Sequence, residues 1–122
     1  MYRLEGHQPV PTDQAGVGWA RVRLTRAGPY RVSTVFLGYD HNFPHEGPPV
    51  LFETMTFHNI RPGDPLHPGG SVDNPCDGRS CTWNEAETIH QEAVDWLREN
   101  LCEPGDTVGE LPEERITMEG GQ

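Results

Sequence analysis

Acids and histidines gather in one stretch of the chain. Residues 38–49 read GYDHNFPHEGPP, so Asp40, His41, His45 and Glu46 fall within a single loop, and His58 follows the next apolar run. Imidazole and carboxylate are ligand types suited to zinc or another divalent cation. The same groups can exchange protons with a substrate near neutral pH. His41 and His45 are the candidate metal ligands, and a metal-dependent hydrolase using Asp40, His41 and His45 is one functional expectation. The plainer alternative is a solvated loop in which Asp40 bonds the backbone of its own turn.

A second group is cationic. Arg21 and Arg23 alternate along one apolar run, and Arg31 stands near the start of the next. A strip of guanidinium groups can grip a phosphate, and nearby rings (Trp19, Tyr30, Phe43) can stack a base. Glu53 sits between apolar neighbours. If it faces inward it needs a cation such as Arg21 or Arg31 across the sheet, or it stays protonated. The candidate ligand-binding residues are therefore Arg21, Arg23, Tyr30, Arg31, Asp40, His41 and Glu53. Ion pairing across the strands explains the same charges without a ligand. Cys76 and Cys81 lie in CDGRSC, which is half of a zinc motif with no second half, so ordinary loop thiols are expected. Phosphate loops, dinucleotide fingerprints, HExxH and serine-nucleophile motifs are absent. No catalytic residue is assigned, no cofactor is expected, and catalysis is the less favoured class.

The elements that must position these residues are short. Ala20–Thr25 alternates apolar and polar side chains and predicts a half-buried strand. Turn chemistry at residues 26–29 leads into a second strand, Tyr30–Leu37, apolar on both faces and hence central in its sheet. Val50–Phe57 predicts a third strand after the long loop. Thr12 and Asp13 suit the cap of a short helix running toward Trp19. Residues 58–81 are rich in glycine and proline and read as an exposed loop. Thr82 with Glu85 forms a capping box, and Ala86, Ile89, Ala93, Val94, Trp96, Leu97 and Leu101 make an apolar stripe over a helix at 82–101. The expected fold class is α+β: a small three-stranded antiparallel sheet packed against one C-terminal amphipathic helix, with long loops. Residues 1–102 form one domain, and residues 103–122 an acidic, disordered tail.

Composition narrows the partners. The 122 residues carry a net charge of −10, with nine arginines and no lysine. All of the excess is in residues 61–122. An acidic chain repels phosphate backbones, so direct nucleic-acid binding is not expected. No apolar leader opens the chain, and no stretch approaches the ~20 apolar residues of a membrane span. The expectation is a cytoplasmic protein with reduced thiols and no membrane partner.

The run VSTVFLGYDHNF, then GPPVLFETMTF, then TWNEAETIHQEAV, resembles a family of small phage and prophage proteins, especially from actinobacteria. Its pattern is similar to VSTVFLG-x-DH…GPP-x-LFETM-x-F followed by a helix opening TW-x-EA. The start MYRLEGHQPVP is also similar to that family's opening. Residues 12–29 look shortened and residues 58–81 lengthened relative to it. The resemblance implies a non-enzymatic accessory protein of the host cytoplasm that acts by binding, in host takeover or counter-defence. The expected target is a host protein or a small signalling nucleotide. A sheet with open edges also allows a homo-oligomer.

Overall fold

The computed structural model describes residues 1–13, 20–42, 46–58 and 70–111. Over these residues the chain is mixed α+β with one helix, but its sheet is larger than expected. A hairpin of β1 (Tyr2–Glu5) and β2 (Gln8–Pro11) precedes β3 (Ala20–Ala27), β4 (Tyr30–Phe36), β5 (Phe52–His58) and β6 (Gly78–Ser80). The helix α1 (Trp83–Asn100) and β7 (Val108–Glu110) follow. Strands β3 to β7 form one five-stranded antiparallel sheet in the order β6-β5-β4-β3-β7, and β1-β2 form a separate two-stranded sheet. The expected three-stranded sheet is thus only the centre of the real one.

Three of the additional strands escape notice for physical reasons. β6 and β7 are three residues each, too short to show alternation. β2 carries Pro9 and Pro11, which argue against a strand except at an edge. β7 also corrects the expected tail. Residues 103–111 fold back, and Val108–Glu110 pair with Thr25–Ala27 of β3. Residues 112–122 lie outside the described residues, as does most of the helix expected between Thr12 and Trp19.

The β3–β4 turn shows why this hairpin forms. Ala27 pairs with Tyr30, leaving a two-residue loop. Gly28 takes φ +58°, and Pro29 has its φ fixed near the value the second position needs. A Cβ on Gly28 would stand 2.6 Å from the Asp106 carboxylate, so a larger residue would have to displace that side chain as well as adopt the positive φ. Gly6, at φ +62°, gives the β1–β2 turn the same backbone freedom, with open space around it.

The helix packs on one face of the sheet. Its capping box is present: Glu85 N–H donates to the Thr82 hydroxyl, and the Glu85 carboxylate accepts from Thr82 N–H. Leu97, Ala93 and Val94 pack with Ala27 and Val32. Ala86 packs with Phe36, Leu51 and Phe52. Tyr2 and Leu4 of the first hairpin cover this second cluster, and the His7 ring stacks on Trp83 at 3.8 Å. Between the two apolar clusters the interface is polar. Thr25, Thr34, Thr54 and Thr56 face the helix and are all buried, and His90 stands among the helix's buried residues. No helix among the described residues is long and apolar enough to cross a membrane.

Candidate functional site

The polar centre of that interface is a continuous hydrogen-bonded chain. His90 is fully buried and bonds on both sides. Its Nε2 lies 2.7 Å from the Thr25 hydroxyl and its Nδ1 lies 2.7 Å from the Thr34 hydroxyl. Thr34 in turn meets the Thr54 hydroxyl at 2.6 Å. On the other side Thr25 donates to Oε1 of Glu110 at 2.9 Å. The same oxygen accepts from Arg23, whose Nε is 3.1 Å away and whose Nη2 also reaches it.

The carboxylate sets the direction of every link. An ionised carboxylate only accepts, so the single Thr25 proton goes to Glu110. Thr25 must then accept from His90, which makes His90 the Nε2–H tautomer. Nδ1 is left as an acceptor and takes the Thr34 proton. Thr34 must therefore accept from Thr54. The protons run Thr54 to Thr34 to His90 to Thr25 to Glu110 without a reversal.

Electrostatics agree with a neutral imidazole. Burial, assisted by the Arg23 charge, pushes the His90 pKa down from 6.5 to about 4, and Glu110 opposes this weakly. At Glu110 partial burial works to raise the pKa, but Arg23 and the Thr25 hydroxyl outweigh it and hold the carboxyl below its ordinary value. A second buried group ties the sheet to residues 74–77. Thr56 donates its hydroxyl and backbone N–H to the Asp77 carboxylate, each at 2.8 Å. Asn74 donates to Thr56 Oγ1 and to the Ala93 carbonyl. Burial raises the Asp77 carboxyl, and the two Thr56 bonds offset only part of it.

The residues singled out in the sequence do not converge. A β-bulge between Arg21 and Arg23 puts Arg21 opposite Val35 and Arg23 opposite Thr34. Val35 and Thr34 point to opposite faces, so the expected arginine strip is divided. Arg23 belongs to the buried chain, and Arg21 to the far face with Arg31. Tyr30 packs against the cluster of Ala27, Val32 and Leu97 and lies against His58, so it is no stacking platform for a base beside Arg31. Glu53 is on the far face and pairs with Arg79 at 2.9 Å, its direct cross-strand neighbour, not with Arg21 or Arg31.

Asp40 accepts from Asn42 N–H at 2.7 Å and from Val50 N–H at 2.8 Å, both through Oδ1. It closes the loop by capping its own turn. His41 stacks on Tyr39 at 4.6 Å, and its Nε2 is buried with no hydrogen-bond partner among the described residues. His45, Phe43 and Trp19 lie outside the described residues. Among the described residues no group of three or more His, Cys, Asp and Glu side chains is placed to hold a metal ion. Asp40→Ala is expected to destabilise the protein by about 1–2 kcal/mol, since two backbone donors lose their acceptor. Thermal melts in EDTA and in zinc check this. The same loss in both fits a turn cap, and a loss seen only with zinc would show a metal in the loop.

Sequence reasoning missed His90, Thr25, Thr34, Thr54 and Glu110. The available signal was a histidine within the apolar stripe of a well-defined helix, four residues from both Ala86 and Val94. A buried histidine requires partners on both nitrogens. The two larger of the open clefts among the described residues lie elsewhere. One of about 660 Å³ runs between the first hairpin and Trp83, and one of about 850 Å³ lies beside Arg98, Cys102 and Asp106 at the helix C-terminus. None of the sequence-predicted residues lines either.

No family model matches the chain, no curated protein matches it, and no solved structure matches its fold.

Proposed function

We propose that the protein acts by binding another molecule rather than by transforming one. This is the accessory role, inside a host cell, that its resemblance to phage and prophage proteins implies. The observation that supports it most is the location of its ionisable groups. The imidazole at the centre of the constellation best arranged for proton transfer is buried: His90 and Thr34 are 0% exposed, and Thr25 and Thr54 only 3% and 2%, while the chain meets solvent at Glu110, whose side chain is 54% exposed. A substrate cannot reach the imidazole without unfolding the interface. The accessible charges are sorted between two surfaces. The solvent side of α1 carries Glu85, Glu92, Asp95 and Glu99 against Arg98. The far face of the sheet carries the exposed Arg26 and Arg79, the latter paired with Glu53, and the half-buried Arg21 and Arg31.

Broad surfaces of this kind suit a host protein better than a small nucleotide. The bulge removes Arg23 from the phosphate cradle that a nucleotide would need, and Tyr30 packs, half-buried, against the cluster of Ala27, Val32 and Leu97. The hydrolase alternative keeps only Asp40 and His41 among the described residues, and Asp40 is engaged by two backbone amides. Native mass spectrometry of the protein captured from an actinobacterial extract tests the proposal. A stoichiometric complex with one host protein is expected. A bare chain throughout overturns it.

A further inference from the structure

The open cleft of about 660 Å³ between the first hairpin and the helix start has walls of rigid apolar rings. Tyr2 and Pro9 come from the hairpin, Pro48 and Pro49 from the loop before β5, and Trp83 from the first turn of α1, with buried Leu51 as the floor. A two-stranded hairpin is marginal in water by itself. Here Tyr2 and Leu4 pack on the cluster of Phe36, Leu51 and Phe52, and Tyr2 N–H donates to the Gly38 carbonyl at 2.7 Å. The His7 ring lies flat on Trp83, 3.8 Å away and 5° from parallel, and Trp83 Nε1–H donates to Glu87 at 2.7 Å. Walls held this way need little ordering when a ligand enters.

Two polar groups in the cleft are unengaged. The Tyr2 hydroxyl and the exposed Asn84 carboxamide make no hydrogen bond among the described residues. Both can donate to a carbonyl. The field around them is negative. Glu5 lines the cleft, Glu85 accepts from the backbone of Cys81 and Thr82, and Glu87 holds Trp83. Among the described residues the one base bonded to any of these is Arg3, ion-paired with Glu5 at 2.6 Å. Three carboxylates against one guanidinium leave an excess of negative charge there. The Cys81 thiol in the cleft wall responds to it: burial raises its pKa most, and the charges of Glu85 and Asp40 raise it further.

We infer that this cleft binds a proline-containing, basic segment of another protein in the polyproline II conformation. The inference rests on the binding function proposed above and names its site and its ligand. Such a segment presents flat prolyl rings to aromatic and prolyl walls. Its carbonyls make no internal hydrogen bonds, so they are free to accept from Tyr2 and Asn84. It is extended before it binds and loses little entropy on docking. A lysine or arginine beside the prolines meets the excess of carboxylates, whereas a phosphorylated or acidic segment is repelled by it.

Fluorescence polarisation tests this with labelled peptides of equal length: repeats of Pro-Pro-Arg, of Ala-Ala-Arg and of Pro-Pro-Glu. The first is expected to bind most tightly and to weaken with added salt. The double variant Tyr2→Phe/Asn84→Ala removes only the two unengaged polar groups and keeps the Tyr2 ring in its cluster. It should melt like wild type and bind the Pro-Pro-Arg peptide about tenfold more weakly. Glu5→Gln should weaken the same peptide about threefold. Arg98→Gln, at the far end of α1, should leave binding unaltered. Equal binding of the Pro-Pro-Arg and Ala-Ala-Arg peptides overturns the inference. So does tighter binding of Pro-Pro-Glu, or equal binding by wild type and double variant. Capture from an actinobacterial extract separates the two levels of the account. A host partner retained equally by the double variant overturns this site and keeps the binding function, whereas no host partner at all overturns the binding function itself.

Discussion

Thr34→Val should destabilise the fold by about 2–4 kcal/mol, whereas Thr54→Val should cost only about 1 kcal/mol. Both threonines are buried, and both changes replace a hydroxyl by a methyl of similar volume. They differ in what they leave behind. Thr34 gives its proton to His90 Nδ1 and accepts the proton of Thr54. Valine at 34 therefore strands an acceptor and a donor together, each costing about 1–3 kcal/mol when buried unpaired. Valine at 54 removes one donated proton and leaves the Thr34–His90 bond intact. Urea unfolding at pH 7 measures both. Similar losses for the two variants, or a larger loss at Thr54, would contradict the place of Thr34 as the two-sided link between His90 and Thr54.

Acid should weaken the protein by about 3 kcal/mol between pH 6.5 and pH 4 through His90 alone. The unfolded imidazole takes its proton near 6.5, and the folded one only near 4. Within that window the unfolded chain binds the extra proton, so stability falls as pH falls, by about 1.4 kcal/mol per pH unit. The groups facing His90 are Thr25 and Arg23 from β3, Thr34 from β4, Thr54 from β5 and Glu110 from β7. The Glu110 carboxyl is held low, so its contribution is present above its unfolded value and is lost only in stronger acid. Asp77, held high, acts in the opposite sense and loses stability as pH rises through its raised value. Asp77 is unchanged in a variant of His90, so the difference between the two proteins isolates the imidazole. His90→Gln keeps a donor and an acceptor but cannot be protonated. The variant should be less stable than wild type at pH 7, and the gap should narrow by about 2 kcal/mol by pH 5. A constant gap would show that His90 is not held neutral by the fold.

The legible parts of the chain were those with repetition. Alternation over Ala20–Thr25 and the two-faced apolar run Tyr30–Leu37 marked the central hairpin, and the capping box at Thr82 marked the helix start to the residue. What stayed hidden depends on contacts between distant positions. Glu110 lies 85 residues from Thr25, and a three-residue strand in an acidic stretch gives no periodic signal. One extra residue at the bulge moves a side chain to the other face of the sheet. That is why Arg21 and Arg23, which alternate perfectly in the sequence, end on opposite sides. The acid and histidine loop attracted attention because of its residue types. Type alone does not distinguish a ligand from a turn cap, and Asp40 is placed as a cap.

The most direct measurement is the nitrogen spectrum of the His90 ring, followed by NMR from pH 7 to pH 4. A sealed, polarised chain predicts a neutral ring protonated on Nε2, unchanged through pH 6.5 and titrating only near 4. A ring protonated on Nδ1, or one titrating near 6.5, would show that the chain is reversed or open to solvent. The case for a closed centre, and for a protein that works through its surfaces, would fall with it.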